Sequence, residues 1–385
     1  MYGHHARQRR IGKTLDHQSP LEKMVSLDYF KKYFKNKKVF ITGHTGFKGS
    51  WLLQILALCE ANIHGYALAP EQEHDLFYQI NGEQLCSKHI LHDICDVQRL
   101  TQEIVDFQPD YIFHLAAQPL VLKGYQEPLY TFAVNTQGTA NVLDAIRQLK
   151  NPCIAIMVTT DKVYENLDNA VLFTETDKLG GYDPYSASKA ACEIVISSYR
   201  SSFFNDAKYN EHQKSIASVR AGNVIGGGDF APNRIVPDII RAISNNETVT
   251  LRNPAATRPW QHVIEPLGAY LLLACKMKEE PIAYNSAFNI GPEEKDVLSV
   301  QQLTEIAIAA AGKGSMTIEE KVHKPHEAAT LMLDINKVKT QLGWTPKFHA
   351  AQAIQHTVAW YLDTAAADVK CVQQIRDYFS DTIEE

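Results

Sequence analysis

The chain has 385 residues, of which 45% are hydrophobic and 21% are charged, a balance typical of a globular protein with a substantial core. Its net charge of -6 provides no basic field, which argues against a nucleic-acid partner. No stretch reaches the roughly 18 consecutive apolar residues of a membrane span, so no membrane contact is expected.

The cysteines argue against two further classes of protein. Seven of them are scattered along the chain without any CxxC pair, which fits neither a disulfide framework nor a zinc site. We therefore expect no metal, and a reducing cytoplasm is the predicted location.

The first segment has no secondary-structure period. Residues 1–23 are polar and lack the apolar stretch of a secretory signal, so we interpret 1–35 as a disordered leader and lead-in. Met24 is a candidate translation start, and intact-mass measurement of the protein from its native host would test that hypothesis.

From Lys37 onwards, strand-like and helix-like segments alternate. The strand candidates KVFITG, NIHGYAL, DYIFHLAA and CIAIMVTT are interleaved with helix candidates such as GFKGSWLLQILALCE and VNTQGTANVLDAIRQLK. This rhythm specifies βαβ units and a parallel sheet covered on both faces. The predicted fold class is α/β, a Rossmann-type doubly wound sheet over 36–225. Looser Gly-, Pro- and Asn-rich sequence then indicates a smaller, discontinuous substrate lobe over 226–365 and a tail over 366–385.

A glycine motif follows the first strand. Gly43, Gly46 and Gly49 have the spacing GxxGxxG between a strand and a helix, together with Thr45 and Phe47. Glycines at this position permit a tight turn and close approach of the backbone to a pyrophosphate at the helix N-terminus. The motif predicts a dinucleotide site, although a purely structural turn has the same spacing.

The end of the second strand bears on the choice of dinucleotide. It reads HGYALAPEQ, with no acid before Glu71 to hold the ribose and no Lys or Arg for an extra phosphate, so NAD is the predicted cofactor. Asp93, followed by Ile94, comes after the third apolar run, where a carboxylate can accept from an adenine amino group. A capping role for Asp93 is the alternative.

The sequence YSASK places Tyr185 and Lys189 one helical turn apart. A cation beside a phenol lowers the phenol pKa towards the range of a general base. Thr160 lies about 25 residues upstream, in VTTDKVYEN, where a buried strand ends in adjacent Asp161 and Lys162. Together with the glycine motif, this spacing predicts a catalytic group, whereas Tyr and Lys alone would also fit a surface pair.

Several motifs carry a resemblance to a known family. HLAAQ, VNTQGT, RAGNVIG and DINKVKTQLGWTP are similar to the extended short-chain dehydrogenase/reductases that act on nucleotide sugars. GHTGFKGSWL, TTDKVYEN, GGYDPYSASK, RNPAATRPWQHVIEPL and HKPHEA resemble more specifically the CDP-glucose 4,6-dehydratase family. The resemblance implies a hydro-lyase that forms CDP-4-keto-6-deoxyglucose by oxidation at carbon 4, loss of water across carbons 5 and 6, and hydride return to carbon 6.

The resemblance also implies a role for each catalytic candidate. Tyr185, its pKa lowered by Lys189, would take the proton of the carbon 4 hydroxyl, and Thr160 would orient that oxygen. Lys162 would be the base at carbon 5 and Asp161 the acid at carbon 6. Burial favours the neutral lysine and protonated acid that these roles need, whereas their mutual attraction opposes both. A strand-end ion pair without chemistry is the alternative.

The remaining expectations concern ligands and partners. Arg258 has the fork geometry that suits a diphosphate. A homodimer is expected through the helix PYSASKAACEIVISSYRSSFF, which has apolar residues on more than one side. By resemblance, the cofactor site also includes Ala116, Ala117 and Asn135, and the nucleotide-sugar site includes Gln118, Asn223, Arg258, Lys324 and His326.

Some alternatives stay open. Val163 stands where the CDP-glucose pattern has a cysteine, and AVLFTETDK is closer to the dTDP-glucose enzymes, so another nucleotide hexose (dTDP-glucose, a UDP-sugar or a GDP-sugar) is an alternative substrate. A nucleotide-sugar epimerase would share the fold but needs no acid-base pair for dehydration. An inert NAD-binding regulator would commonly lack Tyr185 or Lys189. Deoxysugar supply for lipopolysaccharide O-antigen is implied only by the resemblance.

Overall fold

A computed structural model describes residues 25–167, 172–232, 234–251, 253–319 and 331–380. The predicted leader 1–23 and the candidate start at Met24 lie outside these residues. The helices are α1 (Leu27–Phe34), α2 (Phe47–Leu58), α3 (Leu76–Gln79), α4 (Val97–Phe107), α5 (Val121–Gln126), α6 (Pro128–Phe132), α7 (Gly138–Arg147), α8 (Pro184–Ser202), α9 (Tyr209–His212), α10 (Ile235–Ser244), α11 (Ile264–Glu279), α12 (Val300–Ala311), α13 (Ala350–Leu362) and α14 (Ala367–Tyr378).

The strands divide between one large sheet and four small ones. They are β1 (Lys38–Thr42), β2 (Asn62–Ala67), β3 (Lys88–Leu91), β4 (Tyr111–His114), β5 (Cys153–Val158), β6 (Leu172–Phe173), β7 (Lys214–Ala221), β8 (Val224–Ile225), β9 (Thr248–Leu251), β10 (Thr257–Pro259), β11 (Gln261–His262), β12 (Ala287–Ile290), β13 (Val297–Ser299), β14 (Ser315–Ile318) and β15 (Met332–Leu333).

The large sheet confirms the predicted Rossmann-type α/β fold. Its seven strands are all parallel, in the order β12-β7-β5-β4-β1-β2-β3. Every residue of β5 and β7 is buried, as expected for strands covered by helices on both faces. The strand order reverses between β1 and β4, and ligands of doubly wound sheets bind at the carboxyl ends of the strands at such a reversal.

The sheet extends beyond the predicted limit at residue 225. β12 pairs in parallel with β7, and α11 packs against β5 and β7. Most of α11 is buried, so it covers one face of the sheet rather than belonging to a separate lobe. The second lobe has its own core between α10, β9, α12 and α13, which includes Ile239, Leu251, Leu303 and Ile354.

Both ends of the described chain differ from the expectation of a lead-in and a tail. α1 begins after Ser26, which caps it, and buries Phe30 and Phe34 one turn apart. α14 buries Cys371 and Ile375 and packs on α2 and α3. Each helix is too short to show its period strongly in sequence, and each is held by apolar partners that are remote along the chain. Within the described residues, none of the helices has the length and apolarity needed to cross a bilayer.

Candidate active site

The predicted glycine turn lies at the carboxyl end of β1. Gly43 has a φ of +76°, and a Cβ added to it would lie 2.7 Å from the backbone nitrogen of Ala116. A Cβ at Gly49 would lie 2.1 Å from the Gly43 carbonyl oxygen. Gly46 is the N-cap of α2 and has no side chain, so the first-turn amides need another partner. Backbone this close to a helix N-terminus fits the pyrophosphate of a dinucleotide.

The adenine end of the predicted cofactor site contains Thr45 and Asp93. The Thr45 hydroxyl donates to the carbonyl oxygen of Leu68 at 2.9 Å, which fixes the turn against the end of β2. One carboxylate oxygen of Asp93 accepts from the Cys95 amide at 2.8 Å in a local turn, and the N-cap of α4 is Asp96. Ile94 is buried against Gly138, and Phe47 lies beside Gly226.

Asn135 and Gln118 buttress the segment that follows β4. The Gln118 amide donates to Asn135 Oδ1 at 2.8 Å, and Asn135 Nδ2 donates to Ser188 Oγ at 2.9 Å. The Gln118 side chain bonds Thr131 at 2.9 Å and is buried. Ala116, next to Ala117, donates from its amide to Thr42. Asn135 and Gln118 therefore hold the backbone of this wall in the conformation described, tied to α8.

The catalytic candidates lie together at the carboxyl end of β5. Asp161–Val163 form one turn of 3₁₀ helix directly after the strand, and Asp161 is buried. The Thr160 hydroxyl donates to Asp161 Oδ1 at 2.9 Å, and Lys162 Nζ contacts the same oxygen at 3.0 Å. Lys162 Nζ also donates to Asn223 Oδ1 at 3.2 Å. The two side chains predicted to remove water are therefore in direct contact.

Tyr185 and Lys189 reach the same strand end from α8. This helix begins at Pro184, and its N-cap Asp183 accepts from the Ser186 amide at 3.0 Å. Tyr185 hydrogen-bonds the Thr160 side chain. Lys189 Nζ donates to the Val158 carbonyl oxygen at 3.1 Å, and both side chains are buried. The structure thus brings all five predicted catalytic residues to one site.

The electrostatics of Tyr185 differ from the sequence expectation. Burial raises the pKa of Tyr185 above its ordinary value, while the hydrogen bond to Thr160 and the charge of Arg234 act in the opposite direction. Burial also lowers the pKa of Lys189, and Cys192 and Glu193 oppose that shift. Burial therefore dominates the tyrosine pKa in the chain alone, and the expected lowering by Lys189 stays a prediction.

Sequence reasoning missed several charged groups at the site. Lys48, inside the glycine motif, is half-buried, and its pKa is lowered to about 8 by desolvation and by the charges of Lys189 and Arg234. Arg234 pairs with Asp229 at 2.9 Å. A lysine between two glycines was a visible signal, but the glycines dominated the interpretation of that segment. Arg234 had no signal of its own in the sequence.

A small cavity, partly open to solvent, adjoins the catalytic turn at Gly222. A Cβ at Gly222, on its wall, would lie 3.2 Å from Asp161 Oδ2. Arg258 is buried in β10, and its Nη1 donates to the carbonyl oxygen of Thr257 at 2.7 Å. Lys324 and His326 lie outside the described residues. Other residues that line the cavity are Pro259, Gly291, Glu293, Met332 and Leu333.

No set of three or more His, Cys, Asp or Glu side chains in the described part of the chain is arranged to hold a metal ion.

Comparison with known proteins agrees with this geometry. Residues 40–357 match the family described as GDP-mannose 4,6 dehydratase. The chain is 39% identical over 355 residues to CDP-glucose 4,6-dehydratase of Salmonella typhimurium, covering 91% of this chain and 99% of the relative. It is 25% identical to CDP-paratose 2-epimerase of Salmonella typhi, covering 84% of this chain and 98% of the relative.

Solved structures with the same fold include nucleotide-sugar enzymes. UDP-glucose 4-epimerase of Thermus thermophilus, in complex with NAD, aligns with a TM-score of 0.70 at 22% identity, covering 85% of this chain and all of the other. UDP-N-acetylglucosamine 4-epimerase of Methanobrevibacter ruminantium aligns with a TM-score of 0.70 at 21% identity, covering 86% and 99%. The extent of the family match and the 39% identity show that the chain belongs to the GDP-mannose 4,6 dehydratase family, within the extended short-chain dehydrogenase/reductases that act on nucleotide sugars.

Proposed function

We propose that the protein is an NAD-dependent 4,6-dehydratase that converts CDP-glucose to CDP-4-keto-6-deoxyglucose. The observation that carries the proposal is the contact of Asp161 with Lys162, 3.0 Å apart, beside Thr160 and Tyr185. Oxidation alone needs the tyrosine, whereas elimination of water needs an additional base and acid. The 39% identity to a CDP-glucose 4,6-dehydratase supports CDP-glucose as the substrate.

Cofactor binding is assigned to the glycine turn. Gly43, Gly46 and Gly49 would hold the pyrophosphate of NAD at the N-terminus of α2, with Asp93 near the adenine. When bound there, NAD supplies the oxidation at carbon 4 and the reduction at carbon 6, so that the net change is the loss of water. The NAD in the Thermus thermophilus structure of the same fold is consistent with this assignment.

Tyr185 is the proposed base at the carbon 4 hydroxyl. Its contact with Thr160 places a second hydroxyl beside the oxygen to be deprotonated, which orients that oxygen. Burial disfavours the tyrosinate, so ionisation depends on nearby positive charge, and Arg234 supplies such a charge within the chain.

Lys162 and Asp161 are the proposed base and acid of the elimination. A proton that moves from the Lys162 ammonium to Asp161 along their 3.0 Å contact converts an ion pair into a neutral amine and a carboxylic acid. The amine can then take the carbon 5 proton while the acid protonates the leaving hydroxyl at carbon 6. The pair starts and ends with one proton, so each turnover resets it.

The nucleotide-sugar site is proposed at the cavity beside Asp161 and Asn223. Arg258 is the candidate for the diphosphate, and Gln118, Lys324 and His326 remain candidates at the same end. The match to a GDP-mannose dehydratase family keeps another nucleotide hexose as the second candidate substrate.

We also propose a homodimer. The faces of α5, α6 and α8 expose large apolar side chains, including Leu129 at 85% and Ile194 at 59%. A surface of this kind marks a protein-protein contact. A monomer mass in light scattering at micromolar concentration would contradict the dimer.

The seven cysteines, all within the described residues, are free thiols, which supports the proposed cytoplasmic location.

The test is incubation of the purified protein with CDP-glucose, dTDP-glucose, UDP-glucose and GDP-mannose separately, with NAD but no reductant. Mass spectrometry would follow the loss of one water. Loss from CDP-glucose alone is the expected result, whereas loss from another sugar would keep the chemistry and move the specificity. An unchanged mass in all four reactions would reject the dehydratase.

A further inference from the structure

Beneath the catalytic turn lies a buried carboxylate that no step of the proposed reaction uses. Glu193 is on α8, one helical turn after Lys189 and two turns after Tyr185, and it is 1% exposed. Its Oε2 bonds Arg220 Nη2 and Ser218 Oγ, each at 2.9 Å. Burial of a charged carboxylate costs free energy that its ion pair and hydrogen bonds must offset. We therefore expect these contacts to hold the surrounding structure in place.

Glu193 holds the near end of the catalytic turn. The hydroxyl of Thr159, the residue before Thr160, donates to Glu193 Oε1 at 2.5 Å and also contacts the Val219 carbonyl oxygen at 3.2 Å. The strand end that carries Thr160 and Asp161 is therefore tied directly to the helix that carries Tyr185.

Arg220 holds the far end of the same turn. Its Nη1 donates to the Tyr164 hydroxyl at 2.8 Å and to the Glu175 carbonyl oxygen at 3.1 Å. Tyr164 directly follows the 3₁₀ turn, and its hydroxyl donates to Asn289 Oδ1 at 2.6 Å. Asp161 and Lys162 thus lie between two contacts, at Thr159 and Tyr164, that both lead to the Glu193–Arg220 pair.

We propose that the Glu193–Arg220 ion pair is a positioning clamp, which holds the turn carrying Asp161 and Lys162 in register with Tyr185. Neither residue touches the reacting atoms. The clamp rests on the proposed dehydratase function, because it would matter most for a reaction in which base and acid groups from two elements act on one sugar.

The charges around Glu193 fit a clamp that stays ionised. Burial raises the pKa of Glu193, but the charge and hydrogen bond of Arg220, with hydrogen bonds from Thr159 and Ser218, bring it below its ordinary value. The carboxylate in turn opposes the effect of burial on Lys189. Loss of the pair would therefore be felt by both elements of the active site.

The clamp is tested with Glu193→Gln, which keeps the size of the side chain and removes its charge. Displacement of the turn by a fraction of an ångström should lower kcat for loss of water by about tenfold to hundredfold. KM for CDP-glucose and the affinity for NAD, measured by calorimetry, should stay within about threefold, because the ligand contacts proposed above are not altered.

A spectroscopic readout separates positioning from a general loss of structure. If the turn is displaced while Tyr185 stays on its own capped helix, oxidation at carbon 4 should outrun elimination. Bound reduced nicotinamide would then accumulate, visible as near-ultraviolet absorbance after mixing with CDP-glucose. Equal slowing without accumulation would overturn the proposal.

Glu103 offers a matched control. It is also a buried carboxylate on a helix, it pairs with two cations, Lys88 and Arg99, and it lies on α4 outside the candidate site. Glu103→Gln should leave the kcat of the folded protein unchanged. If Glu193→Gln lowers kcat no more than Glu103→Gln does, the clamp is rejected.

A second pair of variants covers the case in which Glu193→Gln does not fold. Thr159→Ser keeps the hydroxyl and should retain nearly full kcat. Thr159→Val removes the hydrogen bond to Glu193, so reduced nicotinamide should accumulate during its reaction. Equal activity of the two variants would overturn the clamp. A wild-type protein that removes no water from any of the four sugars would instead reject the dehydratase, and the clamp with it.

Discussion

Two buried carboxylates mark two differently built regions of the molecule. Glu193, under the catalytic turn, has Arg220 beside it, and its pKa lies below the ordinary value. Glu265, at the start of α11, accepts from the amides of Lys347 and Phe348 and from the Tyr378 hydroxyl. Burial raises its pKa to about 7. Hydrogen bonds from two amides and a hydroxyl, with the charge of Lys347 nearby, therefore leave the pKa of a buried acid raised, whereas a guanidinium in direct contact lowers it.

The surroundings of Glu193 keep a carboxylate charged, whereas those of Glu265 use a carboxyl group to join separate segments of the chain. Below the active site, Arg220 and the hydroxyls of Thr159 and Ser218 keep Glu193 charged. The Glu265 contacts join α11 to the segment before α13 and to α14, and a neutral carboxylic acid serves there as well as an anion.

The largest effect is expected in the charged region, at Lys162. Lys162→Met removes the proposed base at carbon 5 and should lower the rate of water loss by about 10⁴-fold, since no other base contacts Asp161 in the described structure. Mass spectrometry of CDP-glucose reactions would measure it. Lys178→Met is the control, because Lys178 is exposed and pairs with Glu165. A loss below tenfold would contradict the role of Lys162.

Arg220→Met would make the surroundings of Glu193 resemble those of Glu265, because it removes the guanidinium. It leaves Glu193 buried without its ion-pair partner, which should lower the free energy of unfolding by about 4 kcal/mol in urea titrations. The pKa of Glu193 should then rise, so the variant should lose further stability as pH increases. Arg99→Met removes a half-exposed cation from Glu103 and should change stability by less than about 1 kcal/mol. Equal losses in the two variants would refute the distinction.

Glu265 should show the opposite pH dependence from an ordinary paired acid. Because its folded pKa is about 7 and its ordinary value is 4.5, the folded protein holds a proton that the unfolded chain releases between these pH values. Stability should therefore fall as pH rises through this window, by about 3 kcal/mol. Glu265→Gln cannot ionise and should flatten that fall in urea titrations at several pH values. An unchanged slope would show that Glu265 is already charged.

The smallest effect is expected at the glycine turn, which relies on close backbone contact rather than on charge. Gly49→Ala places a Cβ 2.1 Å from the Gly43 carbonyl oxygen, so the turn must shift, and NAD affinity should weaken by about 2 kcal/mol, or about thirtyfold. At Gly46 the Cβ would lie 3.5 Å from the same oxygen, an ordinary contact. Gly46→Ala should therefore bind NAD more tightly than Gly49→Ala in calorimetry. The reverse order would count against the turn as the pyrophosphate site.

Local patterns were sufficient to predict the sheet and much of the site. The alternation of strands and helices, the glycine turn and the YSASK helix each have a period or spacing that is visible within about twenty residues. Because parallel strands end at one edge of a sheet, the catalytic candidates could be expected to meet there.

Features that depend on remote partners could not be predicted in the same way. In the sequence, Glu193 cannot be distinguished from any other polar residue of a helix. Its contacts with Thr159 and Arg220 form only when the fold brings the ends of two strands beside α8. α1 and α14 are only two or three helical turns long, so their sequences resemble a lead-in and a tail. The raised pKa of Tyr185 depends on burial by the whole fold, whereas the sequence showed only its neighbour Lys189.

The contact between the first and last described helices has a consequence for how the protein opens. Phe30 of α1 and Phe379, directly after α14, have ring centroids 5.3 Å apart, and Phe34 lies against Tyr111 of β4. Neither helix can detach from its neighbours without exposing the aromatic ring that packs against it from the other end of the chain. Amide hydrogens of α1 and α14 should therefore exchange with solvent at a common rate, as a single cooperative unit more than 300 residues apart in the chain.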